Sequence, residues 1–261
     1  MINKKEIGHT GEFLFPLGLG TYNIKNYQKA LESFQLAIDA GVEIIDTAEI
    51  YGTEDFVKLL IEKVGRNRLF IITKIWPDKL YTQEKVEKAA LNSLKRMNVN
   101  YVDLMLIHWP NREISIEEQI KNFEIVIKKG YTRYIGVSNF NKKDLEKAIK
   151  ISNYDLQTDE IKFSVIDKNF YYDTHEILKS NKISILAYTP IERGMIKEIN
   201  ILNEIAKKYG KTVIQISLNY LINEELTFPI PKAENKEHML EILGSLDFSL
   251  KNEDIKKLNE I

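Results

Sequence analysis

Four residues that could do chemistry together follow apolar runs at three places in the chain. Asp46 and Tyr51 lie in Asp46-Thr-Ala-Glu-Ile-Tyr-Gly52, Lys74 in Thr73-Lys-Ile-Trp-Pro77, and His108 in Leu106-Ile-His-Trp-Pro110. As a set they suit proton delivery to a carbonyl oxygen. A phenol titrates near pH 10 in water, too high for efficient acid–base work at neutrality, and a nearby ammonium draws that value down. A carboxylate keeps the ammonium charged and in place, and a neutral imidazole can donate a hydrogen bond to the substrate oxygen. None of the four is a hydride source, so a reduction needs a nicotinamide cofactor. Each has a plainer reading alone. Lys74 and Asp46 could be a buried ion pair that sets register, and His108 a hydrogen-bonded core histidine. Tyr51 is one of 13 tyrosines. Their joint arrival at equivalent positions argues against coincidence.

The elements that must position them repeat one pattern: a short apolar run, a turn, an amphipathic stretch, then another run. The runs are Leu17–Leu19, Glu43–Asp46, Leu69–Lys74, Val102–Ile107, Tyr134–Val137, Leu156–Ile161, Ile183–Tyr188 and Leu226–Ile230. Helical spacing of apolar residues marks Asn26–Ala40, Thr82–Met97 and Ser115–Lys129, and Gly41, Gly65 and Gly130 stand where helices end. Eight strands alternating with helices predict either a (β/α)8 TIM barrel or an open doubly wound sheet, with the barrel favoured. In a barrel, the strand C-termini collect the chemistry, which is where the four residues fall. Ile2–Phe15, with turn residues at Gly8–Gly11, reads as an N-terminal hairpin or an extended lead-in.

The 261 residues contain 44% hydrophobic residues and no linker-like segment, so one catalytic domain over 1–261 is expected. A formal net charge of −1 removes the electrostatic argument for nucleic acid or an anionic membrane as partner. Zero cysteines exclude disulfides and a thiol nucleophile, and the four histidines show no metal-binding spacing, so no metal is expected. No apolar run approaches a membrane span and the N-terminus lacks a signal core, so a cytoplasmic protein is expected. Its oligomeric state stays open.

The ordered segments Pro16-Leu-Gly-Leu-Gly-Thr21, Gly41-Val-Glu-Ile-Ile-Asp-Thr-Ala-Glu-Ile-Tyr-Gly52, Thr73-Lys74, His108-Trp109-Pro110, Gly136-Val-Ser-Asn-Phe140, Ala187-Tyr-Thr-Pro190 and Ile230-Pro-Lys232 resemble the aldo-keto reductase family. The resemblance runs over essentially the whole chain and implies the closed barrel. It further implies Tyr51 as general acid, Lys74 and Asp46 tuning it, and His108 orienting the carbonyl. Ser138 and Asn139 would meet the nicotinamide carboxamide, with Tyr188 stacked on its ring and Gly20 and Thr21 near its ribose. Thr189, Pro190, Ile191, Arg193 and Gly194 would surround the pyrophosphate, and Ile230, Lys232, His238 and Glu241 would serve the adenosine end. Glu160 stands where the family usually has a glutamine facing the carboxamide, unless the strand register shifts and places Gln157 there. His238 replaces a common arginine. Residues 18–20 read Gly-Leu-Gly but lack the third glycine of a dinucleotide fingerprint.

The expected function is reduction of an aldehyde or ketone to an alcohol by NADPH, with NADH also possible. Tyr22, Trp76 and Trp109 at strand ends would line an apolar substrate pocket. The second reading, from another class, is a redox sensor or regulatory subunit that holds the cofactor and turns over slowly. Retention of all four catalytic types weighs against it.

Overall fold

The computed structural model describes residues 3–261. A short antiparallel hairpin, β1 (Lys5–Glu6) and β2 (Phe13–Leu14), precedes eight parallel strands. These are β3 (Gly18–Gly20), β4 (Ile44–Asp46), β5 (Phe70–Ile75), β6 (Val102–Ile107), β7 (Thr132–Ser138), β8 (Leu156–Lys162), β9 (Ser184–Tyr188) and β10 (Thr227–Pro229). Each pairs with the next in sequence, the order that right-handed β–helix–β crossovers produce. The segment just after β10 closes on the first strand: the Gly20 N–H donates to the Pro231 carbonyl at 2.9 Å. The result is a near-closed barrel, not an open sheet. A Cβ at Gly18 would stand 2.6 Å from Ile230 Cγ2, so only glycine lets β3 approach the opposite edge this closely.

The eight runs read from the sequence coincide with β3–β10 to within two residues. Because successive side chains face opposite sides of a strand, each run feeds two cores. Ile44, Ile72, Leu104, Leu106, Leu186 and Phe228 fill the barrel interior. Their neighbours Ile45, Ile71, Met105, Val137 and Ile161 join the larger cluster under the helices. Ile7 and Leu14 complete the inner cluster, so the hairpin plugs the N-terminal mouth. Ser184 Oγ and Gln157 Oε1 hold it there, accepting from the Gly8 and His9 N–H groups at 2.8 and 3.0 Å. Of the expected lead-in, Ile2 lies outside the described residues.

The helical stretches also appear, with one difference. Ser115–Lys129 divides at Glu124 into helices Ile116–Phe123 and Ile125–Lys128. The Glu124 carboxylate is buried and accepts from the Asn153 N–H at 2.6 Å and from Asn153 Nδ2 at 2.8 Å. That tertiary contact is invisible to helical periodicity. Among the described residues no helix is long and apolar enough to cross a membrane.

Candidate active site

At the C-terminal mouth, strand register brings the predicted residues onto one floor. Asp46 pairs with Ile72 across β4 and β5, and Lys74, two residues on, therefore faces inward with it. Lys74 Nζ donates to Asp46 Oδ1 at 2.6 Å and to the Thr47 carbonyl at 3.0 Å. It also stands 3.2 Å from Glu160 Oε2 on β8 and 3.4 Å from the Tyr51 hydroxyl. Tyr51 sits on a single 3-10 turn after β4, closed by Gly52 at φ +65°, a left-handed conformation that glycine adopts without strain. Thr53 Oγ1, bonded to Thr21 and Thr47 at 2.9 and 3.3 Å, and Glu49, which accepts from the Trp76 N–H at 2.7 Å, fasten this turn to its neighbours. His108 Nε2 lies 3.5 Å from the Tyr51 hydroxyl, while its buried Nδ1 has no partner.

The electrostatics follow from burial. Desolvation, seconded by the Lys74 charge, lowers the His108 imidazole to about 3, so it is neutral. Burial works against the Lys74 ammonium, but Asp46 and Glu160 more than offset it and the ammonium is held. Tyr51 departs from expectation. Burial raises its pKa, Lys74 pulls it down, Glu160 and Asp46 push it up again, and the net direction is upward. One ammonium does not outweigh a dry site with two carboxyls. Tyr51 therefore rests as a neutral phenol.

Above this floor opens a cavity of about 590 Å³. Tyr51, His108, Asp46, Glu160 and Tyr188 line its inner end. Thr189, Pro190, Ile191 and Arg193 form one rim, and Gly20, Ile230 and Lys232 the other. Tyr22, which packs edge-on against Tyr51 at 5.1 Å, and Trp109 also line it. Asn139 lines the cavity with its amide already used. Its Oδ1 accepts from the Tyr188 hydroxyl at 2.8 Å, and its Nδ2 donates to the His108 carbonyl at 3.1 Å.

Several sequence-predicted residues lie elsewhere. Ser138 is buried beneath Asn139 and its hydroxyl donates to the Glu160 carbonyl at 2.9 Å. Thr21 is buried against Thr53, and Trp76 packs edge-on against His108 behind the cavity wall at 5.1 Å. Gly194 follows the rim at φ +93° without lining the cavity. His238 and Glu241 stand on the helix Lys236–Leu243, outside the lining, with Asn235 Nδ2 3.1 Å from His238 Nδ1. Gln157 belongs to the hairpin contact at the other mouth, so Glu160 is the residue of β8 that faces the cavity. Asn23 and Pro231 also line it and were not singled out from the sequence. Pro231 was legible as the middle of Ile230-Pro-Lys232, whereas Asn23, in a left-handed loop conformation, carried no signal.

A nicotinamide dinucleotide suits what is present. The inner end offers an aromatic wall at Tyr188 and a buried carboxyl at Glu160, and the rims offer Arg193 and Lys232 to phosphates. The aldo/keto reductase family model matches residues 16–261. The chain belongs to this family. It is accordingly an NAD(P)H-dependent reductase of aldehydes or ketones. It is 31% identical over 256 residues to a glyoxal reductase of Bacillus subtilis, covering 97% of this chain and 91% of that one. A thermostable aldo-keto reductase solved with the inhibitor epalrestat superposes with a TM-score of 0.92 at 36% identity, over 98% of each chain. An aldo-keto reductase from Klebsiella pneumoniae solved with NADPH gives a TM-score of 0.90 at 26% identity, over 100% of this chain and 95% of that one.

Proposed function

We propose that Tyr51 is the proton donor of this reductase, with Lys74, Asp46 and His108 as its supporting groups. The observation that carries this reading is the position of the Tyr51 hydroxyl on the cavity floor. It lies 3.4 Å from Lys74 Nζ and 3.5 Å from His108 Nε2. Bound nicotinamide supplies the hydride to the carbonyl carbon. Tyr51, resting as a phenol, gives its proton to the carbonyl oxygen, and the phenolate that forms is compensated by the Lys74 ammonium. Asp46 keeps that ammonium oriented. Because nothing engages His108 Nδ1, its proton can reside on Nε2, the edge that faces the Tyr51 hydroxyl and can hydrogen-bond the substrate oxygen.

NADPH is the cofactor we assign, with NADH accepted more weakly. The cationic rims support this, as does the Klebsiella relative solved with NADPH. Asn139, Glu160 and Tyr188 would hold the nicotinamide end, and the Thr189–Arg193 segment the pyrophosphate. Tyr22 and Trp109 would contact the substrate. We read residues 1–261 as one catalytic domain working in the cytoplasm, where reduced nicotinamide cofactors are available. Glyoxal and other short aldehydes are the first substrates to test, given the Bacillus relative. Stopped-flow mixing of the NADPH complex with such a panel should show cofactor oxidation on the seconds scale. Oxidation no faster than in cofactor alone, for every carbonyl tried, would overturn the assignment.

A further inference from the structure

The floor of the cavity holds more acid than its one cation can balance. Lys74 faces two buried carboxyls, Asp46 and Glu160, and both side chains have 3% exposure or less. The groups facing Glu160 are Asp46 from β4, Lys74 from β5, Tyr51 from the turn after β4 and Tyr188 from β9. His108 shares the cavity as a neutral ring, and Ser138 and Asn139 on the β7 side carry no charge. Asp159 is on the other face of β8. No second cation is present among these groups. Moreover, the Asp46 and Glu160 carboxyls converge on the same Nζ, at 2.6 and 3.2 Å, and two carboxylates so close in a dry site do not both stay ionised. Asp46 takes the short bond from Lys74, whereas Glu160 Oε2 sits 3.2 Å from Nζ without completing a hydrogen bond, so the proton belongs on Glu160.

We propose that Glu160 stores a proton and gives it up when an oxidised, positively charged nicotinamide occupies the cavity. This rests on reading the Tyr188 end of the cavity as the nicotinamide site. The reasoning is charge conservation in a dry pocket. With reduced cofactor the ring is neutral, and Lys74, ionised Asp46 and protonated Glu160 sum to zero. Oxidation places a positive charge on the ring, and ionising Glu160 restores neutrality. In reduction, Tyr51 loses its proton to the product alkoxide. The Glu160 O–H bond then breaks and its proton passes by way of Lys74, which touches both groups, to the Tyr51 oxygen. The phenol is restored, Glu160 is left as carboxylate, and one proton must return from solvent after the oxidised cofactor leaves. A glutamine at this position could not do this.

The test is the number of protons exchanged on binding, measured calorimetrically in buffers of different ionisation enthalpy. NADP+ binding to the full-length protein should release close to one proton, and NADPH binding should release far less. The 2′-phosphate, common to both, cancels in the difference. Equivalently, the Kd for NADP+ should fall by up to about tenfold per pH unit as pH rises, with that for NADPH nearly flat. Glu160→Gln should abolish the difference, and Asp159→Asn should leave it. Equal proton release with the two cofactors in the wild type would overturn the proposal while leaving the cofactor site intact. Persistence of the difference in Glu160→Gln would overturn it too. If neither cofactor bound, the site reading itself would fall and the proposal with it.

Discussion

The two ends of the cavity are built differently. At the inner end, Asp46, Lys74, His108 and Glu160 project from strands or strand ends, are at most 7% exposed, and are fixed by contacts of 2.6–3.5 Å. At the outer end, Lys232 is tied to Glu234 Oε1 at 2.9 Å and to the Asn23 carbonyl at 3.0 Å, and His238 stands exposed on a helix. A buried charge without its partner costs several kcal/mol, so the inner end tolerates one arrangement. Exposed pairs contribute about 0–1 kcal/mol, so the outer end can exchange partners when a phosphate arrives. The inner end should therefore answer mutation with large, coupled effects and the outer end with small, salt-dependent ones.

The largest effect should come from Tyr51→Phe. Loss of the sole proposed proton donor should lower kcat by about 10²–10⁴-fold, with Kd for NADPH nearly unchanged. The measurement needs a deuteride isotope effect to establish that chemistry limits the rate. A variant that keeps more than half of wild-type kcat under that condition would remove Tyr51 from the reaction.

Next in size is the Lys74–Asp46 pair. Lys74→Met should cost about 3–5 kcal/mol of stability at neutral pH, because it strands the buried Asp46 carboxylate. Adding Asp46→Asn should recover part of that loss. The double variant, followed by urea unfolding, should be less destabilised than the sum of the singles. Additive losses would show that the pair does not act as a unit.

This contrast also explains what could be read from the sequence. Asp46, Lys74 and His108 were legible because a polar residue closing an apolar strand run has few places to go in a barrel except the C-terminal mouth. Glu160 was legible as a cavity residue but not as a neighbour of Lys74. The two are far apart in sequence and meet only because the sheet curls until β8 faces β5 across the interior. The same cause hid the sign of the Tyr51 shift, which depends on how many carboxyls share one ammonium. Ser138 and Thr21 stand off the cavity lining for a simpler reason. Their hydroxyls find partners inside the protein, and a motif cannot reveal which side of a strand end stays wet. His238 was read from a position in a pattern, and exposed helix positions carry no packing constraint to check such a reading.

A smaller effect should appear in the pH dependence of stability. The folded His108 titrates at about 3, against about 6.5 in an unfolded chain. The folded value is depressed, so the unfolded chain takes up the proton first. Stability that is complete above about pH 6.5 is lost as pH falls toward 3, at about 1 kcal/mol per pH unit. His108→Gln cannot titrate and should lose less stability than wild type between about pH 6.5 and pH 4. Parallel stability curves for the two proteins in urea would mean that the folded imidazole is not held neutral.

The smallest effect lies at the outer end and concerns the choice between NADPH and NADH. A 2′-phosphate approaching Lys232 must displace the Glu234 carboxylate, which sits 2.9 Å away and also accepts from the Asn26 N–H at 3.1 Å. That competition weakens the preference for NADPH, since Lys232 is a point charge without the forked donors of arginine. Glu234→Gln should therefore raise the NADPH/NADH ratio of kcat/KM by about three- to tenfold, and the gain should shrink as salt is added. His238→Arg should raise the ratio less, because Asn235 engages the side chain from the cap of its own helix and holds it outside the cavity. A ratio unmoved by Glu234→Gln at low salt would separate Lys232 from the phosphate and leave the outer end without its proposed anchor. A ratio moved by more than a hundredfold would show that the outer end is as tightly coupled as the inner one, since a half-buried surface pair does not supply that much free energy.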